Sequence, residues 1–415
     1  ICTIPFDELG INTLFLDEAH YYKNVPIATE IHRVHGINKA GSDKCKAMMD
    51  KVHCIQRQNN GGRVVFATGT PITNSLTDLF VLQQYLQEGE LEFAGIHNFD
   101  NWVGMFAEKT TEYEIDVDTN SYHLKTRFAR FKNVPELTAI LSSIADFHHE
   151  DNNENLPEFE GYTDSVSAGS DIFKDFLKDI SNRADDIRNK RVKPDQDNML
   201  KITTDGRKAA LDMRLVDLIF GRESESKVMR CAENIADVYY NTRDTNSIQL
   251  VFCDISTPKE GFNLYDELKS LLIAMGIPGN KVAFIHEAQN ERQKEELFRE
   301  LRKGEKSVLI GSTFKTGHGV NIQERLVAMH HLDVPWRPAD MVQREGRILR
   351  RGNTSKSVKI FRYITKGSFD AYSWQLLESK QRFISQILSG DCTQRECADV
   401  DETVLNYAEV KALAV

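Results

Sequence analysis

The sequence predicts an α/β protein with two parallel-sheet lobes, the first incomplete, and a helical insertion between them. Three observations carry this reading. Beyond residue 248, apolar runs of strand length alternate with helical patterns. Near the start, two apolar strands flank a single helix, and between about 90 and 245 the periodicity weakens while polarity rises.

Taken in order, residues 11–17 read as a strand ending in acid, 44–57 as a helix closed by Asn59-Asn60-Gly61-Gly62, and 63–67 as a second strand. A helix over 76–86 follows, with Leu76, Leu79, Phe80, Leu82 and Leu86 at helical spacing. The acidic, Asn-rich stretch 149–160 reads as an exposed connection, and helices are expected over 172–187, 208–220 and 226–240. Strands are then predicted over 248–255, 281–286, 308–312, 326–332 and 358–364. Helices are predicted over 264–275, 291–302, 339–349 and 369–388. The domains expected are 1–90, 91–245 (helical protrusion and linker), 246–390 and a tail, 391–415.

At 415 residues the chain is too long for one core. A net charge of -10 argues against a uniformly basic nucleic-acid binder but leaves room for a local basic track. The 7 cysteines form no CxxC pair, which fits reduced thiols and a cytoplasmic setting better than a disulfide scaffold or zinc. No run of apolar residues is long enough to span a membrane, and no signal peptide is visible. Residue 1 is Ile and a strand pattern begins almost at once, so a fragment of a longer chain is expected.

Chemistry concentrates in a few motifs. Asp17-Glu18-Ala19-His20 at a strand end suits one carboxylate on a phosphate-bound magnesium (Asp17, through water) and one on the attacking water (Glu18). In Thr68-Gly69-Thr70-Pro71, small residues allow a tight turn at the ligand edge of an open sheet, and the hydroxyls can bond His20. In the 312–321 loop, Ser312, Thr313, Gly317, Gly319 and Asn321 suit the phosphate oxygens of nucleotide or DNA. Gln343 opens a helix expected to carry Arg347 and Arg350 on one face, as cations for transition-state charge. Pairs such as His330/His331 lack metal-ligand spacing and read as core or solvated histidines.

The succession DEAHYYKN, FATGTPITNSL, LVFCDIS, GSTFKTGHGVN and QREGRILRRG resembles motifs II to VI of superfamily-two helicase-like ATPases. DEAHxxKN, TGTPxxN and VKIFRYITKGSFD are more similar to the Swi/Snf-type branch of duplex-DNA translocases. The segments 197–203 and 378–383 resemble the helicase part of phage or conjugative-element methylase–helicase polypeptides. The resemblance implies two RecA-like lobes, ATP and magnesium as cofactors, and double-stranded DNA as partner. A methylase domain in the same polypeptide is a further expectation, and no membrane role is implied. His20, Thr68, Thr70 and Gln343 would then couple nucleotide state to movement. No GxxxxGK[ST] loop occurs in the sequence, so the family's phosphate loop is expected upstream and this chain alone is expected to be inactive. The last motif departs from the family's HRIGQ-like ending by reading ILRRGN. The rival expectations are a non-catalytic DNA- or protein-binding module and an RNA-directed helicase.

Overall fold

The structure, a computed structural model, describes residues 4–31, 40–73, 77–115, 122–147, 156–193, 195–316, 321–389 and 396–398. The chain divides into two compact units, one formed by residues up to 149 together with those shortly after 377, the other by 150–377.

In the first unit, β1 (Leu14–Leu16) pairs in parallel with β2 (Val64–Phe66), Leu16 opposite Phe66. The crossover is α1 (Asp43–Gln58), whose first turn is capped by the Ser42 hydroxyl accepting from the Cys45 N–H. Val52 of α1 packs with Val81 and Tyr85 of α2 (Thr77–Leu86) against Leu14, Val64 and Phe66. The other sheet face carries Phe15 and Val65, which are 75% and 47% exposed. Next come α3 (Glu88–Phe93) and α4 (Phe99–Phe106), then an antiparallel hairpin of β3 (Ala107–Ile115) and β4 (Tyr122–Lys132), then α5 (Val134–Ser142). Glu396–Ala398 adds a short third strand on β4. Phe80, Phe99, Trp102, Phe106 and Phe131 fill this half of the core, with the indole N–H of Trp102 bonded to Gln83 Oε1 at 2.9 Å.

The second unit is a six-stranded, all-parallel sheet. Its strands are β5 (Glu158–Ser167), β6 (Ile248–Phe252), β7 (Val282–Phe284), β8 (Val308–Gly311), β9 (Leu326–His331) and β10 (Ser357–Thr365), in spatial order β5-β10-β9-β6-β8-β7. Its helices are α6 (Asp171–Arg188), α7 (Met199–Leu211), α8 (Lys227–Thr242), α9 (Leu264–Ala274), α10 (Glu291–Arg302), the short α11 (Thr313–Thr316) and α12 (Pro338–Glu345), and α13 (Phe369–Ser389) begins here, its residues from 378 on belonging to the first unit. Ser170, Asn198, Ser226, Asn263 and Asn290 cap five of them through their side chains. Every residue of β6 is buried, as a central parallel strand requires. Leu250 and Phe252 pack toward α10, while Val251 packs toward α8 and α9.

Three expectations differ from this fold. The 149–160 connection and the helical reading of 91–245 give way at Glu158, where β5 begins and pairs with β10 over its whole length. The unit containing the large sheet therefore reaches back to 150 rather than starting at 246. β5 is an edge strand with most positions exposed, so it lacks the apolar signature of its neighbours, and Asp164 and Glu160 instead pair with Arg362 and Lys359. The same insertion also holds the β3–β4 hairpin. Finally, the helix expected over 339–349 stops at Glu345; Gly346 still has right-handed backbone at φ -62°, and the chain runs on in a tighter turn in which the Arg347 and Ile348 N–H groups bond carbonyls three residues back.

Candidate functional site

Each unit gathers its polar motif residues at the C-terminal ends of its parallel strands, the edge where open α/β sheets bind ligands.

In the first unit, β1 runs out at Leu16 and Asp17 turns the chain. Its Oδ1 accepts from the Glu18 N–H at 2.9 Å, and Glu18 sits in the left-handed region at φ 51°. The ladder to the second strand continues past both elements, Ala67 N to Leu16 O at 2.8 Å and Ala19 N to Ala67 O at 3.0 Å. That pairing brings His20 beside the Thr68-Gly69-Thr70 turn. His20 is 8% exposed, and its Nδ1 lies 3.0 Å from Thr68 Oγ1, 3.3 Å from Thr70 Oγ1 and 3.4 Å from Glu18 Oε2. A carboxylate and two hydroxyls thus converge on one ring nitrogen. Asp17 is exposed and Glu18 half-buried, so both carboxylates face solvent.

Lys23, part of the DEAHxxKN run but not among the candidate residues named from the sequence, also joins this edge. Its Nζ bonds Asp78 Oδ2 at 3.1 Å and the Thr73 hydroxyl. Asp78 also accepts from Thr73 N at 2.9 Å and Thr73 Oγ1 at 2.8 Å. One lysine therefore ties the acidic motif to the loop that follows the Thr68 turn.

In the second unit, Ser312 and Thr313 are buried at the end of β8, Asn321 is exposed, and Gly317 and Gly319 lie outside the described residues. The Asn321 carbonyl accepts from Arg302 Nη1 at 3.0 Å. Gln343 is half-buried in α12. Arg347 and Arg350 are not on one helical face. They lie past the cap in a turn anchored by Ile348, which is fully buried between them, with Arg347 half-buried and Arg350 exposed.

The residue at the centre of this edge is Arg344, fully buried and overlooked because arginine in a basic run reads as surface. Its Nη2 bonds Asp254 Oδ2 at 2.7 Å and Asp333 Oδ1 at 3.1 Å, its Nε bonds Thr313 Oγ1 at 2.7 Å, and its Nη1 bonds the Asp333 carbonyl at 2.9 Å. Asp254 accepts from both the N–H and the hydroxyl of Thr313, each at 2.6 Å. Asp333 Oδ2 accepts from the backbone N–H groups of Asp254 and Ile255. Burial pushes the Asp254 carboxyl up, but Arg344 and Thr313 outweigh it and hold it below the usual range. Burial and the neighbouring Asp254 charge push Asp333 up. Burial opposes charge on Arg344, and the two carboxylates more than restore it. A signal for the acids existed in the sequence: Asp17, Asp254 and Asp333 each follow the apolar run of a strand.

His330 and His331 are fully buried, as core histidines. Among the described residues no group of three or more His, Cys, Asp or Glu could hold a metal. No helix among them is long and apolar enough to cross a membrane.

Parallel sheets with acids, hydroxyls and arginines on the C-terminal edge define a RecA-like architecture. A family model described as "Probable helicase domain" matches residues 2–149, and "Helicase conserved C-terminal domain" matches 230–352. Both segments are similar to helicase domains, and together the two matches support a superfamily-two helicase-like protein. It is 34% identical over 110 residues to "Defense against restriction protein B" of Escherichia phage P1, a match covering 26% of this chain and 5% of that protein's length. The C-terminal part of the Fun30 ATPase domain superposes with a TM-score of 0.39 at 14% identity, covering 62% of this chain and 97% of that one. A DEAD box protein from Methanococcus jannaschii gives 0.27 at 20% identity, covering 36% and 37%.

Proposed function

We propose that this chain is part of a Swi/Snf-type, ATP-dependent translocase on double-stranded DNA, in a polypeptide that supplies the phosphate-binding loop missing from these 415 residues. On this reading the chain by itself does not turn over ATP. The observation that best supports it is the convergence of Glu18, Thr68 and Thr70 on His20 Nδ1, which links an acidic pair to the turn next to it.

Glu18 orients the attacking water and accepts its proton, and His20 relays its position to Thr68 and Thr70. Ser312 and Asn321 face phosphate oxygens of nucleotide or DNA, and Gln343 is a coupling residue, whereas both donors of Thr313 are taken by Asp254 and leave it no phosphate contact. Arg347 and Arg350 neutralise charge developing on the transferred phosphate, a role worth roughly 10³–10⁵ in rate where measured. Asp17 fits a magnesium site of the kind that takes most of its ligands from water and phosphate. It offers one exposed carboxylate and, among the described residues, no surrounding acid cage. When bound, the ion neutralises phosphate charge. The similarity to a phage restriction-defence protein fits a DNA-directed motor, with a methylase domain as a partner in the same polypeptide.

The test is Glu18→Gln and Arg350→Ala in the parent polypeptide. Each is expected to abolish ATP hydrolysis while leaving the thermal midpoint unchanged, and normal hydrolysis in either sinks its assignment. A folded parent that never hydrolyses ATP would favour a binding module instead.

A further inference from the structure

We propose that Arg344 is a positioning residue that holds three strand-end loops and the Arg347–Arg350 turn in one geometry. The inference rests on the reading above only for what that geometry is used for. The junction itself is a property of the second unit.

The partners of Arg344 come from separate parts of the sequence. Asp254 follows β6, Thr313 follows β8, Asp333 follows β9, and Arg344 is on α12. These three strands are neighbours at the centre of the sheet, so one guanidinium spans the middle of its C-terminal edge. The planar fork uses Nε, Nη1 and Nη2 at once, which an ammonium group cannot reproduce. The guanidinium also lies over the Phe252 ring at 4.9 Å, closing the plane from one side. Its backbone continues the arrangement. The Arg347 N–H bonds the Arg344 carbonyl at 3.1 Å, and the Ile348 and Leu349 N–H groups bond the Glu345 carbonyl at 3.0 and 2.9 Å.

A residue serving stability alone has no need to join the loop holding Thr313 to the turn holding Arg347. A shift of the Thr313 loop or of the Arg347 turn reaches the other through this one side chain. Arg344 touches no reacting atom, so its effect is on where Thr313, Arg347 and Arg350 stand.

The test is Arg344→Lys, which keeps the charge and loses the fork, with Asp254→Asn as a second variant that keeps the shape and loses one charge. In the parent polypeptide each is expected to lower kcat for ATP hydrolysis by about tenfold or more with little change in KM, the pattern of a transition-state-only loss. In this chain, hydrogen exchange is expected to quicken at the Asp254, Ile255 and Thr313 amides and stay unchanged in Val282–Phe284. Wild-type kcat in Arg344→Lys, or exchange that rises evenly across the unit, overturns the proposal. If the wild-type parent shows no hydrolysis, the translocase reading fails and the exchange pattern alone decides. Local quickening keeps the junction, and an even or absent change removes it.

Discussion

The side-chain amide of Asn353 donates to the Ile348 carbonyl at 3.1 Å and to the Leu326 carbonyl at 2.9 Å, fastening the turn that carries Arg347 and Arg350 to the start of β9. Its Oδ1 accepts from the Ser355 N–H at 3.0 Å, so all of the amide's polar atoms are engaged. This is where the last motif departs from its family, and the structure gives the departing residue a bracing role. Asn353→Ala is expected to lower the second unit's stability by about 1–2 kcal/mol, since two carbonyls lose their donor. Asn353→Asp, unable to donate, is expected to do no better. Denaturant midpoints read this directly, and an unchanged midpoint in both variants contradicts it.

Lys227 and Asp370 form a buried pair, Nζ to Oδ2 at 2.5 Å, with the side chains 1% and 6% exposed. Asp370 also accepts from the Thr365 N–H at 3.2 Å. Lys227→Met strands a carboxylate in the core and is expected to cost about 3–5 kcal/mol. The double variant Lys227→Met/Asp370→Leu is expected to recover much of that. A double variant as unstable as Lys227→Met would show that the pair's burial is not the cause.

At the first unit's site, Asp78 Oδ2 accepts from Lys23 Nζ, the Thr73 N–H and the Thr73 hydroxyl, and Lys23 Nζ also bonds the Thr73 hydroxyl. Removing Asp78 takes an acceptor from both Lys23 and the Thr73 N–H, whereas removing Lys23 leaves Asp78 still bonded to Thr73. Asp78→Ala is therefore expected to destabilise the unit more than Lys23→Met, each by roughly 1–3 kcal/mol. Thermal midpoints in the reverse order contradict the geometry.

His330 is stacked on Phe361 at 4.8 Å between ring centroids and bonded on both nitrogens. Gln249 donates from Nε2 to the Ile235 carbonyl, which leaves its Oε1 to accept from His330 Nε2 at 3.0 Å. The Tyr363 hydroxyl accepts from Asn234 and lies 2.8 Å from His330 Nδ1, to which it donates. The ring is neutral with its proton on Nε2. Burial, then the neighbouring His331, lower its pKa from 6.5 to about 3. The unfolded chain thus binds a proton that the folded chain refuses between those values. This contribution to stability is present above 6.5 and is lost progressively as pH falls toward 3. Stability measured against pH is expected to slope less steeply in His330→Gln than in wild type over that window. Equal slopes contradict the assignment.

The sheet of the second unit was largely legible in the sequence because β6, β7, β8 and β9 are almost wholly buried and read as apolar runs between amphipathic helices, and β10 keeps most of its apolar positions inside. The sixth, Glu158–Ser167, was not, because an edge strand exposed at most positions has the composition of a loop. The helix end at Glu345 is hidden in the sequence because Arg347, Leu349 and Arg350 favour helix and the turn that replaces it keeps hydrogen bonds of three- and four-residue span. Asp17, Glu18 and His20 stand in one short motif and Thr68 and Thr70 in another, each legible by itself, and the structure brings His20 to both threonines as anticipated. Arg344, Asp254 and Asp333 were missed because only the folded sheet brings their loops together.

The central claim is that the chain belongs to an ATP-driven motor on duplex DNA. The most direct test is the rate of ATP hydrolysis by the parent polypeptide, with and without duplex DNA and with RNA as a comparison. The account predicts several-fold stimulation by duplex DNA, weaker stimulation by RNA, and loss of both in Glu18→Gln. A well-folded parent whose hydrolysis is absent, or is indifferent to duplex DNA, would contradict it.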